Sequence, residues 1–245
     1  MSESASGLPR GAATLSVGII SADLMNLSRD VKCLEAAGVR IAHFDVMDGR
    51  FCPMLTVGPW FVGAVETNMV KDVHLMVEDP VGIVDQYVAA GAGLITVHLE
   101  LGRHVHRALE RIGESAAEQN RPVMRGLGVN PGTPVSSIEP HLDVVDVVYV
   151  LGINPGWRQP LIPSTFERVR TVQAIVASSD REILVAVDGG ITLDNYADVA
   201  ALAPDIVVSG SAVFKGDVAG NLRRFAELQQ SASRIAAGVG GPVAR

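Results

Sequence analysis

Short runs of β-branched and aliphatic residues alternate along this chain with longer stretches in which apolar residues recur at helical spacing. Parallel strands joined by crossover helices produce such an alternation, because each strand is buried on both faces and each helix on only one. Eight such units can be counted. The predicted strands begin near Ser16, Ile41, Val70, Leu94, Val123, Val144, Ile183 and Asp205.

Helical spacing follows each predicted strand, for example over residues 27–37, 81–90 and 164–177. Two of these stretches end at Gly38 and Gly91, and glycine readily adopts the left-handed conformation that closes a helix. The segments EAAGVRIAHF and VAAGAGLITV are therefore two copies of one helix-to-strand connection.

Eight consecutive units favour a single α/β domain, a (β/α)₈ TIM barrel over residues 15–235. An open doubly wound sheet is the alternative, since periodicity does not prove closure. Residues 1–14 are small, polar and glycine-containing, and residues 236–245 combine Gly and Pro with little to bury. We predict a disordered tail at the first and a flexible tail at the second.

The composition narrows the possible functions. The 245 residues carry a net charge of −7 and contain no basic run, which argues against a nucleic-acid partner. Residues 1–13 have no apolar core of the kind that a signal peptide or a membrane span requires, and we expect no membrane partner. Cys33 and Cys52 form neither a disulfide framework nor a CxxC pair, so we expect a cytoplasmic protein.

Three predicted strands end in residues that can carry chemistry. His43, Asp45 and Met47 alternate along the second strand and so share one of its faces. His74 and Met76 repeat the pattern on the third strand, and Asp188 ends the seventh, just before two glycines. Barrel enzymes keep their catalytic groups at these carboxyl ends.

Two imidazoles and two carboxylates can hold one first-row divalent ion and leave positions open for substrate oxygens. A single strand histidine is more often a hydrogen-bonded core residue, and a strand methionine is more often a core filler. Here, however, His43, Asp45, His74 and Asp188 all fall at ends predicted to converge, and burying ionisable groups without partners is costly. The coincidence favours a metal site.

Seven segments together resemble the ribulose-phosphate 3-epimerase family. They are IISADL (19–24), HFDVMDGRFCPMLTVGP (43–59), DVHLMVEDP (72–80), NPGTP (130–134), NPG (154–156), VDGGI (187–191) and VSGSAVF (208–214). They occur in the family's order from about residue 15 to residue 225. The resemblance implies a barrel of the ribulose-phosphate-binding type and a homo-oligomer.

The resemblance also implies roles for particular residues. His43, Asp45, His74 and Asp188 would hold one Zn²⁺, Fe²⁺, Mn²⁺ or Co²⁺ ion, with Asp45 and Asp188 also acting as the acid/base pair. Ser21 and His74 would contact a sugar phosphate, and Met47 and Met76 would pack sulfur against its reacting carbons. These roles suit C3 epimerisation of a ketose, such as ribulose 5-phosphate to xylulose 5-phosphate, because protons leave and return on opposite faces of an enediolate.

Phosphate in such barrels is bound by backbone N–H groups after the last two strands. Gly189, Gly190, Gly210 and Ser211 occupy those positions, although tight turns alone would also explain them. The sixth loop, from Gly156 to Pro160, departs from the family's glycine-rich pattern and carries Trp157 and Arg158. We expect Gly156 and Arg158 to contact the substrate, with Arg158 binding phosphate through its guanidinium.

The altered loop leaves other functions open. Allulose 6-phosphate or a tetrulose phosphate could be the substrate, or the barrel could bind a sugar phosphate without catalysis. The lyases of related barrels use a lysine in a DxKxxD motif, and neither the segment from Asp45 to Gly49 nor the surroundings of Lys32, Lys71 or Lys215 contain that motif. Lyase chemistry is therefore disfavoured. The native metal and the size of the oligomer cannot be deduced from the sequence.

Overall fold

The computed structural model describes residues 7–239, with side chains described as far as residue 232. The eight strands are β1 (Thr14–Gly18), β2 (Ile41–Met47), β3 (Val70–Met76), β4 (Ala92–His98), β5 (Met124–Val129), β6 (Val147–Leu151), β7 (Leu184–Asp188) and β8 (Ile206–Ser209). The helices of this part of the chain are α1 (Leu27–Ala36), α2 (Pro59–Ala64), α3 (Val84–Ala89), α4 (Val105–Glu118), α5 (Thr165–Ala177), α6 (Tyr196–Ala200), α7 (Ser211–Phe214) and α8 (Val218–Val239). Short 3₁₀ helices cover Ile19–Ser21, Leu99–His104 and Val135–His141.

The strands form one closed barrel in sequence order, and β8 pairs with β1 to complete it. Every pairing is parallel. Closure excludes the open doubly wound sheet and confirms the (β/α)₈ barrel.

Alternate residues of each strand fill the barrel interior. Buried side chains there form one cluster, aliphatic apart from one tyrosine: Leu8, Ile41, Leu94, Val147, Tyr149, Leu151, Leu184, Ala186, Ile206 and Val208. A larger aliphatic layer joins the outer face of the barrel to the helices. Because the interior is packed, polar side chains on the same strand faces are confined to its carboxyl end or to buried hydrogen-bond networks.

Most predicted boundaries hold to within a few residues, and the sixth strand shows why some do not. It begins at Val147, three residues later than predicted. The preceding Asp146 carboxylate accepts hydrogen bonds from the backbone N–H and the guanidinium of Arg125 and also pairs with Arg181. The backbone N–H groups of Val144 and Val145 donate to the carbonyl of His141 and close a turn, so these residues are not free to extend the strand. Gly38 and Gly91 adopt φ of +79° and +93°, as predicted for left-handed helix ends.

The tails differ in part from the prediction of disorder. Leu8, within the predicted N-terminal tail, is 1 % exposed and closes the bottom of the barrel interior. Its apolar side chain is buried there by packing that the local composition did not reveal. The backbone of α8 continues to Val239, four residues past the predicted domain end at 235. Residues 1–6 and 240–245 lie outside the described residues.

None of the described helices is both long enough and apolar enough to cross a bilayer.

Candidate active site

The predicted metal-ligand set converges at the carboxyl end of the barrel. The β2–β3 register places Asp45 beside His74, and β7 brings Asp188 to the same point from across the interior. One ligand atom from each of His43, Asp45, His74 and Asp188 can be chosen so that all four lie within 4.8 Å of one another. Burial differs within the set: both imidazoles are 0 % exposed, whereas the carboxylates of Asp45 and Asp188 are 22 % and 11 % exposed. The carboxylates therefore border the open mouth.

His43 points its two nitrogens at different carboxylates. Its Nδ1 lies 2.6 Å from Oδ2 of Asp72, and its Nε2 lies 3.3 Å from Oδ1 of Asp45. Burial on its own lowers the pKa of His43, but the charges of Asp72 and Asp45 outweigh burial and hold that pKa well above its ordinary value. Oδ2 of Asp72 also accepts hydrogen bonds from Tyr149 and Ser16. With Nδ1–H donating to Asp72, Nε2 of His43 is the nitrogen available to a ligand.

His74 presents the opposite nitrogen to the site. Its Nδ1 lies 3.1 Å from Oδ2 of Asp188 and 3.8 Å from Oδ1 of Asp45. This buried atom has no hydrogen-bond partner among the described residues. Its Nε2 instead lies 2.7 Å from Nε2 of His98, whose own Nδ1 is 3.1 Å from Oε2 of Glu100.

These features fit a divalent metal ion. The four nearest nitrogen-to-oxygen separations across the set are 3.1–3.8 Å. Donor atoms about 2.0–2.2 Å from a common tetrahedral ion lie roughly 3.3–3.6 Å apart, so little movement is needed. Two neutral imidazoles and two carboxylates are a donor set typical of first-row ions. The orphaned Nδ1 of His74 would gain a partner in the ion.

The two methionines that were predicted to pack against the substrate lie directly beside the four candidate metal ligands. Met47 and Met76 follow on the same strand faces and form a buried apolar cluster with Cys52, against which Phe51 and Met54 pack. This cluster is the apolar wall of the mouth. A nonpolar surface is suited to the carbon skeleton of a substrate whose oxygens are bound elsewhere.

The residues predicted to bind phosphate occupy the loops after β7 and β8. Gly189 and Gly190 have φ of +96° and +75°, conformations that favour glycine. At Gly210 an added Cβ would lie 2.8 Å from Oγ of Ser21, so the loops after β8 and β1 touch there. Ser211 opens α7 and is exposed, as is Ser21. Ser21, Gly210 and Ser211 therefore share one side of the mouth.

In the sixth loop, Gly156 and Arg158, both predicted to contact the substrate, lie in different surroundings. Gly156 has φ of +76° and packs against Cys52 and Pro53 of the second loop, so the two loops meet across the mouth. Arg158 is exposed, and no ion pair joins it to any described residue. Trp157 beside it is 60 % exposed. The structure therefore packs Gly156 against the second loop and leaves Arg158 at the surface.

Four groups that support the two histidines were not predicted from the sequence: Asp72, His98, Glu100 and Tyr149. Asp72 precedes His74 by two residues and shares its strand face, and His98 ends β4 as His74 nearly ends β3. The alternation that identified His43 could have identified both. Asp72 contacts residues of β2 and β6, and His98 contacts β3, so no local pattern indicated these partners.

Comparisons with known proteins agree with this geometry. The sequence model of the Ribulose-phosphate 3 epimerase family matches residues 14–214. Ribulose-phosphate 3-epimerase of Rhodobacter capsulatus is 38 % identical over 200 residues, which cover 81 % of this chain and 84 % of that protein. "Putative epimerase LsrE" of Salmonella typhi is also 38 % identical, over 207 residues covering 83 % of this chain and 82 % of that protein.

Among solved structures, 3-hexulose-6-phosphate synthase from Salmonella typhimurium matches with a TM-score of 0.68 and 16 % identity, covering 89 % of this chain and 99 % of that one. This likeness concerns the fold alone. The family match extends over most of the chain and includes all four residues of the candidate metal site. The chain therefore belongs to the ribulose-phosphate 3-epimerase family, an isomerase family.

Proposed function

We propose that this chain is a metal-dependent epimerase that inverts C3 of a ketose phosphate, with D-ribulose 5-phosphate as substrate and D-xylulose 5-phosphate as product. The observation that carries the proposal is the placement of two carboxylates, Asp45 on β2 with 22 % and Asp188 on β7 with 11 % of the side chain exposed, around two fully buried imidazoles. Family membership supports the reaction type.

Inverting C3 requires removal of a proton α to the C2 carbonyl and return of a proton to the opposite face. Strands β8 and β1 separate β7 from β2 in the barrel, so Asp188 and Asp45 approach the centre from different sides. One carboxylate would take the proton from one face, and the other would supply a proton to the second face. The pKa of Asp45 is lowered: burial alone would raise it, but His43 and His74 outweigh burial and favour the carboxylate.

The remaining residues would orient the substrate. His43, His74, Asp45 and Asp188 would hold a divalent ion, which supplies electrostatic stabilisation of the charge that develops on the C2 and C3 oxygens. Met47 and Met76 would pack against the carbon chain, and the loops carrying Gly189, Gly190, Gly210 and Ser211 would bind phosphate through backbone N–H groups.

The test of the mechanism is Asp188→Asn, which keeps the size of the side chain and removes the base. Turnover of ribulose 5-phosphate in D₂O, followed by NMR, should show epimer formation reduced at least about 10²-fold, the lower range for losing a general acid or base. Any remaining C3 deuterium should appear without inversion. Metal content is measured in parallel, because an empty site would mimic loss of the base. A metal-loaded variant that epimerises at the wild-type rate would rule out the two-carboxylate mechanism.

A second candidate is epimerisation of a different ketose phosphate, because the sixth loop departs from the family's glycine-rich pattern. Arg158 and Trp157 are exposed beside the mouth, and the chain is as similar to LsrE as to the ribulose-phosphate 3-epimerase of Rhodobacter capsulatus. Allulose 6-phosphate and a tetrulose phosphate belong in the same assay. The substrate with the highest kcat/KM identifies the function, and turnover of none would indicate a non-catalytic sugar-phosphate-binding barrel.

A further inference from the structure

A buried chain of hydrogen bonds leads away from His74, outside the proposed metal-ligand set. The rings of His74 and His98 lie nearly parallel, at 11°, with centroids 4.9 Å apart and Nε2 atoms 2.7 Å apart. A face-to-face stack does not combine such a short nitrogen separation with such distant centroids. The rings therefore meet edge to edge along the nitrogen–nitrogen line, which is hydrogen-bond geometry.

Glu100 fixes the far end of this chain. Its Oε1 accepts hydrogen bonds from the backbone N–H of Asn130 and the hydroxyl of Thr133, and its Oε2 faces Nδ1 of His98. Arg168 on α5 donates to the backbone carbonyls of residues 130 and 133, which anchors the loop that holds the carboxylate. Burial alone would raise the pKa of Glu100, but the hydrogen bonds with His98, Thr133 and the backbone of Asn130 outweigh burial and lower it. Glu100 is therefore an ionised acceptor.

The ionised carboxylate of Glu100 determines where the protons lie on His98 and His74. A carboxylate only accepts, so His98 must donate from Nδ1. A neutral His98 then has a lone pair at Nε2, and Nε2 of His74 must donate to it. The remaining nitrogen of His74, Nδ1, is left with its lone pair directed at Asp188 and Asp45.

The fold makes room for this arrangement. Gly128 on β5 lies against the His98 ring, where an added Cβ would lie 3.3 Å from Cε1 and Nε2. Phe51 covers the ring from the side of the mouth, with centroids 4.7 Å apart. His98 is 0 % exposed, and both of its ring nitrogens face protein partners.

We propose that His98 and Glu100 are positioning residues that fix His74 as the Nε2–H tautomer, so that its Nδ1 lone pair is presented to a divalent ion. The inference rests on the metal role given to His74 under the proposed function. Groups that orient a metal-bound histidine typically change metal affinity 10–100-fold, and we expect an effect of about that size here.

Glu100→Gln is the discriminating substitution. The N–H of Asn130 must still be accepted, so the Gln amide oxygen takes the place of Oε1 and the NH₂ group faces His98. His98 then accepts at Nδ1 and carries its proton on Nε2, which forces the His74 proton onto Nδ1. Both tautomers reverse without loss of side-chain volume. Thr133→Val is the matched control, since it removes one hydrogen bond to Glu100 without placing a donor against His98.

Long-range ¹H–¹⁵N correlation spectra of the metal-free full chain, labelled in histidine, report each tautomer directly. In the wild-type chain and in Thr133→Val we expect a proton on Nε2 of His74 and on Nδ1 of His98. In Glu100→Gln we expect both reversed, with Zn²⁺ affinity in a chelator competition lowered about 10–100-fold. Wild-type tautomers and affinity in Glu100→Gln would overturn the proposal.

Two further results keep the test decisive. If Glu100→Gln does not fold, the wild-type spectrum still decides, because a His74 proton on Nδ1 in the wild-type chain contradicts the proposal outright. The readouts use Zn²⁺ and no substrate. A chain with the expected tautomers and affinities that epimerises no ketose phosphate would overturn the proposed function and support the role of His98 and Glu100.

Discussion

The buried hydroxyl of Tyr149 offers a quantitative test of the charge beneath the candidate site. Tyr149 is 0 % exposed and donates to Oδ2 of Asp72 over 2.7 Å. Burial, and after it the charge of Asp72, raises the pKa of Tyr149 well above its ordinary value, so the hydroxyl remains a donor. Tyr149→Phe removes this bond and leaves the ring in place.

The expected cost follows from the charge of the acceptor. A hydrogen bond to a charged group contributes about 1.5–3 kcal/mol, whereas one between neutral groups contributes about 0.5–1.5 kcal/mol. In the variant Oδ2 of Asp72 keeps the bonds from His43 and Ser16 that it already has, and Oδ1 has no partner among the described residues, so no new bond replaces the one that is lost. For a chain of this size the loss corresponds to a melting temperature lower by roughly 3–12 °C.

Tyr196→Phe is the matched control. Tyr196 is equally buried, but its hydroxyl donates to the neutral backbone carbonyl of Ala13 over 2.8 Å. Calorimetry and urea denaturation of the metal-free variants should therefore show a larger loss of unfolding free energy for Tyr149→Phe than for Tyr196→Phe. Equal losses would refute a buried carboxylate charge at Asp72.

Two further predictions concern the metal and the sixth loop. Zn²⁺ affinity should rise about tenfold per pH unit below the raised pKa of His43 and level off above it, because the ion can bind Nε2 only after its proton leaves. Affinity independent of pH in a chelator competition across neutral pH would contradict this role for His43. Arg158→Ala should raise KM for a phosphorylated substrate far more than it lowers kcat, while Arg170→Ala, an exposed arginine on α5, should change neither. An unchanged KM in Arg158→Ala would show that the guanidinium does not bind phosphate.

The barrel could be predicted because its sequence pattern is repeated eight times. Strands buried on both faces read as continuous apolar runs, and glycines such as Gly38 and Gly91 mark where helices end. Strand boundaries were predicted less accurately where local hydrogen bonds form a turn within an apolar run. Val144 and Val145 look like strand residues, but their backbone N–H groups donate to the carbonyl of His141 and close a turn before the strand begins.

The candidate metal site was predicted from spacing within single strands. His43 and Asp45 share a face because they are two residues apart, and each needs only its own strand to be placed. The groups that support the two histidines could be predicted only with knowledge of how the strands pair in the closed barrel. Tyr149 and Asp72 are separated by 77 residues, and Glu100 meets Asn130 across 30 residues. Such contacts depend on register and closure, which local alternation does not specify.

The two kinds of proposed ligand differ in how the fold supports them. Each imidazole is fully buried and backed by a carboxylate: His43 directly by Asp72, and His74 by Glu100 through His98. Asp45 is partly exposed, Asp188 is buried except for 11 % of its side chain, and both make their side-chain contacts with those imidazoles. A group that only holds an ion benefits from a fixed ring and a fixed tautomer. A group that exchanges protons with a substrate has to reach it from the mouth and change protonation state there. The complete burial of the histidines and the access of both aspartates to the mouth thus support giving the histidines a role in metal binding alone and the aspartates a role in proton transfer as well.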